Sequence, residues 1–311
     1  MTVNDLEKSD MYDWRVHALM TWIDKNKESN TRLSMDTLSK AGHLDQYHYL
    51  GLACNDEVIR ILDLNSSVKI LDVGCGIGGP ARYLAWKSGC SVVGIDIQSQ
   101  LVDTGNSVTR LVGLENQVTL VSGNVCDNLS LYVENEKFDA FISLLVILHI
   151  ANREQLFDRL YNQLKDGGVF LIEDMVALNA TFSPEETRIA KDVIGSPLLP
   201  TIDEYRRHLE TAGFVDVEFE MLTQDWIKWC IDRSDQYEAS KEVQIKNFGE
   251  KIYTQRSLFY ADVKTLFLSG KLGGVRITGR KPSRMEMSLR NHRMRRTNHQ
   301  QKITQTSILE N

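Results

Sequence analysis

Two carboxylates flank a run of glycines in the first third of the chain. Asp72 stands two residues before Gly74; Gly76, Gly78 and Gly79 follow, and Asp96 comes 20 residues after Gly76. Closely spaced glycines let the backbone approach a ligand, and the helix they open offers N–H groups that have no intrahelical partner. An acid about 20 residues farther on can accept hydrogen bonds from the two hydroxyls of a ribose. The glycines alone decide little, because Gly74-x-Gly76-x-x-Gly79 also satisfies the dinucleotide pattern. Asp72 decides more. A carboxylate here would repel a pyrophosphate lying across the turn, and it would suit a ligand with a cationic amino acid portion.

These residues need a rigid support, and the surrounding pattern supplies one. Val68 to Val73 is a short apolar run rich in β-branched residues, the pattern of a buried parallel strand. Pro80 falls where a first helical turn tolerates a missing N–H, and Ala81 to Trp86 continue as helix. Further strands are expected at Cys90–Asp96, Val118–Val121, Phe138–Leu144 and Val169–Glu173, alternating with helices near 79–88, 99–111 and 152–164. That alternation implies a parallel sheet with helices on both faces. Beyond it, Ser183-x-x-Glu186 and Thr201-x-x-Glu204 have the form of capping boxes. A sixth strand near 214–222, a largely helical stretch over 225–269 and a last strand at Val275–Gly279 complete the count at seven.

Asp72-Val-Gly-Cys-Gly-Ile-Gly78 is similar to motif I of the class I S-adenosylmethionine-dependent methyltransferases. The resemblance covers roughly residues 66–281. It implies an α/β fold: a Rossmann-like, mostly parallel, doubly wound sheet of seven strands whose last strand is antiparallel. It also implies that S-adenosylmethionine is the cofactor, held at Asp72, Gly74, Cys75, Gly76, Asp96, Ile97, Asn124, Val125 and Leu144. In this reading Asp96 takes the ribose and Ile97 lies on the adenine face. Gly123-Asn-Val125 stands where the family often has Gly-Asp-Ala, and Asn124 keeps an acceptor oxygen for the adenine amino group.

Ile147-Leu-His149 resembles the small-molecule methyltransferases that act on phosphoethanolamine, sarcosine or dimethylglycine. In the phosphoethanolamine enzymes the matching histidine pairs with a tyrosine from the N-terminal segment, which makes Tyr47 and Tyr49 its candidate partners and His149 the candidate catalytic base. The bland alternative is a histidine at a helix start bonded to a backbone carbonyl. Leu145 departs from the family, whose members carry an acid four residues before the histidine. An apolar ring or alkene, as in the tocopherol and sterol C-methyltransferases, is therefore an alternative to an amine, and sulfur and oxygen acceptors also stay open. Glu173 and Asp174 either face the site or are solvated. Trp226, Trp229, Tyr237 and Tyr260 either line a lid or fill a core.

Composition sets the bounds. With 311 residues, 42% hydrophobic and 25% charged, the chain suits one elaborated α/β domain. No apolar run approaches the roughly 20 residues that span a bilayer, and the acidic start lacks the pattern of a signal peptide. Five scattered cysteines without metal-ligand spacing read as reduced thiols of a cytoplasmic protein. From Ser283 onward the charge balance is +4, which leaves −10 on the rest given −6 overall. An acidic body argues against a nucleic-acid partner. The organisation expected is a helical cap and lid at 1–51, a catalytic domain at 52–281 with a helical insertion at 225–269, and a basic, disordered tail at 282–311. The partner is a small-molecule methyl acceptor; no oligomeric state is implied. Readings of other classes are an NAD-dependent dehydrogenase, disfavoured by Asp72 and by the final Gly-Gly-strand, and a catalytically idle nucleotide-binding scaffold.

Overall fold

The structure, a computed structural model, describes residues 13–28, 32–127, 129, 132–133, 137–178, 181–196 and 198–289. The start of the expected cap, Met11 included, and residues 290–311 of the tail lie outside them. The described chain begins with α1 (Asp13–Asn26) and α2 (Leu52–Ile61), then enters one sheet. The strands are β1 (Lys69–Val73), β2 (Ser91–Asp96), β3 (Val118–Ser122), β4 (Phe138–Leu144), β5 (Leu164–Ala177), β6 (Val215–Met221) and β7 (Leu272–Arg280). Between them run α3 (Gly79–Ser88), α4 (Ser99–Leu111), α5 (Arg153–Gln163) and α6 (Ile202–Ala212). The expected insertion forms α7 (Thr223–Ala239), α8 (Lys241–Phe248) and α9 (Glu250–Leu268).

The strand order is β3-β2-β1-β4-β5-β7-β6, with β7 antiparallel to both of its neighbours. β1 pairs in parallel with β2 on one side and β4 on the other. The direction in which strands are added therefore reverses at β1, and in such sheets a ligand crevice opens beyond the carboxyl ends at that point. Period-2 alternation splits β1 between two cores. Ile70 packs on one face with α1, α2 and α3 residues, while Leu71 and Val73 pack on the other with Phe141, Phe157 and Phe170. Burying each such side chain stabilises by about 1.5–3 kcal/mol, so β1 is anchored on both sides and Asp72 is held at the centre of the sheet.

Both capping boxes form, at Ser183/Glu186 and Thr201/Glu204. Two expectations need correction. β5 does not stop at Glu173 but continues to Ala177, because β7 pairs with it from Val169↔Arg280 to Ala177↔Leu272. The acids Glu173 and Asp174, which suggested a strand end, are tolerated inside the sheet because distant residues pair with them, Arg276 with Glu173 and Tyr205 with Asp174. The tail is not disordered from its first residues: Ser283 caps a short helix over 284–289, with its hydroxyl and Glu286 exchanging backbone bonds. Arg280 holds Glu286 through two bonds of 2.7 Å, and Tyr161 lies 3.8 Å from the Met287 sulfur.

Candidate active site

The glycine turn after β1 is shaped by its neighbours as well as by its own backbone. A Cβ on Gly79 would sit 1.9 Å from the Asp45 carbonyl oxygen, and one on Gly74 would sit 2.3 Å from Val146 Cγ1. The N-terminal segment and the loop after β4 thus lie directly on the turn. Gly76 differs. It adopts a left-handed φ of +52°, and the nearest group to its missing Cβ is the Tyr47 ring at 3.8 Å. Room for a ligand remains beside Gly76, with Tyr47 over it.

Asp96 ends β2 and accepts the Gly76 N–H at 2.8 Å on one oxygen and the Gln98 N–H at 2.9 Å on the other. A carboxylate offers about four acceptor positions, so each oxygen keeps capacity for a ligand hydroxyl. Asp72 is 2% exposed, and its Oδ2 has no hydrogen-bond partner among the described residues. Burial, reinforced by the Asp96 charge, pushes its pKa up to about 7. A buried carboxylate oxygen without a partner is costly unless a donor arrives. A cationic amino group fits that demand, and a pyrophosphate does not.

The remaining predicted cofactor residues surround the same edge. Ile97 is half-buried one residue beyond Asp96. Asn124 and Val125 follow β3; Asn124 Oδ1 already accepts the Cys126 N–H at 2.9 Å, and Val125 is buried. Leu144 ends β4 and is buried. Cys75 joins the core, its side chain filling the space that a Cβ on Gly94 would need. Burial first, then Asp72 and Asp96, push its thiol well above the usual range, so Cys75 is neutral and can meet a ligand through its backbone alone.

After β4 the chain makes a strained turn. Leu145 has φ +60°, an outlier for a branched residue. The following turn, Ile147–His149, is fixed from several directions. Asp174 accepts the Leu148 N–H at 2.8 Å and the Tyr205 hydroxyl at 2.6 Å. Arg153 donates to the Ile147, Leu148 and Leu198 carbonyls, and Ser196 donates to the Leu148 carbonyl. His149 Nδ1 donates to the Gly195 carbonyl at 3.1 Å, and burial lowers its pKa. The ring is therefore neutral, with Nε2 as its acceptor nitrogen.

Tyr49 does not pair with His149. His149 bonds Gly195, the carbonyl contact that was the bland alternative. Tyr49 is buried against Trp226, Trp229 and Phe267, with ring centroids 4.8, 4.4 and 6.1 Å away, and its hydroxyl meets Cys230. Tyr47 instead roofs Gly76 and carries the Arg15 guanidinium 4.4 Å from its ring centroid. Glu173 is likewise structural: Arg276 holds it at 2.6 Å. Trp226 is fully buried where Gly274 lacks a side chain, whereas Trp229 stacks on Tyr49 and meets the His43 ring edge-on at 5.5 Å. The aromatic residues of the insertion and those of the cap form one wall.

Residues not singled out from the sequence fasten the cap to the turn. Asp45 accepts from Arg82 at 2.5 Å, and both are essentially fully buried. Gln46 bridges Asp45 and Asn55. Arg82 also donates to the Ile77 and Gly105 carbonyls. Its place on the helix opened by the glycines was the available signal, but a partner 37 positions away was not readable.

Residues 71–172 match a protein family described as "Methyltransferase domain". Over 203 residues it is 32% identical to phosphoethanolamine N-methyltransferase 1 of Arabidopsis thaliana, covering 65% of this chain and 40% of that protein. Over 156 residues it is 33% identical to the sterol 24-C-methyltransferase of Eremothecium gossypii, covering 49% and 41%. The chain thus spans about two fifths of the length of these curated relatives. In fold it is similar to phosphoethanolamine N-methyltransferase 2 of Haemonchus contortus, solved with phosphomonomethylethanolamine and S-adenosylhomocysteine. The TM-score is 0.73 at 21% identity, over 91% of this chain and 61% of that one. The matched segment runs from Leu71 in β1 to Ile172 in β5, and the cap and insertion lie outside it. Among the described residues no helix is long and apolar enough to cross a membrane.

Proposed function

We propose that this chain transfers a methyl group from S-adenosylmethionine to a small-molecule acceptor, and that the accepting atom is an amine nitrogen. The observation that carries the cofactor reading is Asp72 Oδ2, a buried acceptor without a partner, set beside Gly76 and an Asp96 carboxylate with two acceptor positions to spare. Asp72 would hold the cofactor's cationic amino group, and Asp96 its ribose. Ile97, Asn124 and Val125 would meet the adenine, while Gly74, Cys75, Gly76 and Leu144 would line the channel. When bound, this cofactor supplies a methyl group already activated by its sulfonium.

The chain has little further chemistry to perform. It must orient the acceptor and exclude water, which together account for most of the rate gain in such a transfer. Tyr47 and the Asp45 backbone close the glycine turn from above. The fixed 147–149 turn presents His149, whose neutral Nε2 can take a proton from a substrate amine. Trp229, half-buried and stacked on Tyr49, could offer its outer face to a cationic ammonium. The name of the Arabidopsis relative supports nitrogen. Carbon is the second reading, favoured by Leu145 and by the comparable identity to a sterol 24-C-methyltransferase. Five free cysteines support a cytoplasmic setting.

The test is transfer of labelled methyl from S-adenosylmethionine to a panel of small primary, secondary and tertiary amines, alongside a sterol alkene. Label in an amine supports the proposal. Label in the alkene alone moves the assignment to carbon, and label in neither overturns both readings.

A further inference from the structure

A cavity of about 270 Å³ lies away from the glycine turn, between α1 and the insertion helices. Its lining includes Lys25, His43, Arg233, Gln244, Asn247 and Arg256, and among the described residues no carboxylate lines it. We propose that this cavity is a binding site for a phosphate monoester.

Two arginines line the cavity with no carboxylate partner among the described residues. Elsewhere among the described residues fully buried guanidinium groups face a carboxylate or several carbonyls: Arg82 has Asp45, though its Nε–H is unpartnered, Arg276 has Glu173, and Arg153 has three backbone carbonyls. Arg256 is 7% exposed, yet among the described residues it forms no ion pair. It lies with its guanidinium carbon 3.4 Å from the Trp14 ring centroid and 4.5 Å from that of Tyr237, and it bonds only neutral groups, the Tyr260 hydroxyl and, at a long 3.4 Å, the Gln244 amide oxygen. Its Nε–H is buried without a partner. Arg233 repeats the pattern, with a 3.4 Å contact to the Tyr260 hydroxyl and a buried Nε–H that bonds nothing. His43 donates its Nδ1–H to the Gln46 carbonyl, and burial keeps the ring neutral, so its unpartnered Nε2 is an acceptor and adds no donor to the cavity.

Stacking on aromatic faces offsets part of the cost of burying a guanidinium. It cannot replace a counter-ion for two arginines lining one cavity with a lysine at its rim. Missing charge of this sign and amount points to an anion. The donors outnumber what a carboxylate accepts. Two guanidinium groups, an ammonium and two amides suit the three terminal oxygens and near −2 charge of a phosphate monoester. The volume exceeds that of a bare ion and approaches the lower end of small-molecule sites, leaving space for the ester's carbon portion. Because Lys25 belongs to α1 and the arginines to α7 and α9, the ligand would tie the cap to the insertion.

The test uses the full chain in a non-phosphate buffer at fixed ionic strength. Calorimetry and thermal melting follow addition of inorganic phosphate, a small phosphate monoester and acetate. The proposal expects saturable 1:1 binding of phosphate and the monoester, a raised melting temperature, and a response to acetate at least tenfold weaker. Arg256→Lys, which keeps the charge, and Arg233→Gln, at a half-buried position, should each weaken phosphate binding at least tenfold. S-adenosylhomocysteine affinity, measured on the same samples, should stay unchanged in both, which separates this site from the cofactor reading. Absence of saturable binding, an equal response to acetate, or an unaltered phosphate affinity in Arg233→Gln would overturn it.

Discussion

The cofactor end and the acceptor end of this molecule are built in opposite ways. At the cofactor end, Asp72, the glycine turn and Asp96 belong to neighbouring strands and to one short stretch of chain. Their supports are backbone bonds such as Gly76 N–H to Asp96. At the proposed acceptor end the wall is assembled from α7, α9, the 147–149 turn and the segment around Tyr49, elements that are far apart in sequence. The first kind of site is specified by local spacing. The second is specified by packing, and side chains there find partners that no local pattern announces.

The sharpest way to break this comparison is to cut the link between the two ends. Asp45→Ala would leave Arg82 buried without its carboxylate, and removing one partner of a buried pair costs about 3–5 kcal/mol. We expect a loss of that order in urea denaturation with the m-value unchanged. A loss below about 1 kcal/mol would mean that the cap is not fastened to the turn. Next in size is Tyr205→Phe. It removes a donor to the buried Asp174, worth roughly 1.5–3 kcal/mol, and frees the turn that carries His149. Turnover should fall severalfold while S-adenosylhomocysteine affinity holds; a fall in affinity alone would place Asp174 at the cofactor end.

How far the sequence carried the reading follows the same division. α4 at Ser99–Leu111 and β4 at Phe138–Leu144 fall where periodicity put them, and both capping boxes form. β5 was cut short at Glu173-Asp174, because nothing local shows that Arg276 and Tyr205 will satisfy those acids. The Tyr49–His149 pair failed for a related reason. An aromatic residue before the core can meet any of several faces, and Tyr49 found Trp226 and Trp229. Leu145, visible as a departure from the family, gave no hint of its left-handed backbone.

A smaller effect concerns pH. Asp72 has its pKa raised to about 7, so the folded, ligand-free protein binds this proton more tightly than the unfolded chain. Its contribution to stability is full below pH 4 and is lost as pH rises through 7. A cationic ligand group favours the ionised form, so S-adenosylhomocysteine affinity should rise, by up to about tenfold, between pH 6 and 8. Asp72→Asn should bind more weakly and lose that dependence; a variant that keeps the slope would assign it to another group. The smallest effect is expected at the tail. Deleting residues 290–311 should leave the melting temperature unchanged. Deleting 284–311 also removes the Arg280–Glu286 pair, an exposed contact that solvent screens, so its loss should lower the melting temperature only slightly. A drop of many degrees in either form would show that the tail contributes to the core.

The central claim is that Asp96 and Asp72 define an S-adenosylmethionine site, and Asp96 tests it most directly. Calorimetric titration of S-adenosylhomocysteine into the wild type and into Asp96→Ala, with NAD titrated in parallel, compares the two. Loss of the ribose hydrogen bonds should weaken S-adenosylhomocysteine by roughly 2–3 kcal/mol, at least tenfold, with no detectable NAD binding to either protein. Tight NAD binding, or an unchanged S-adenosylhomocysteine affinity in a folded Asp96→Ala, would contradict the account.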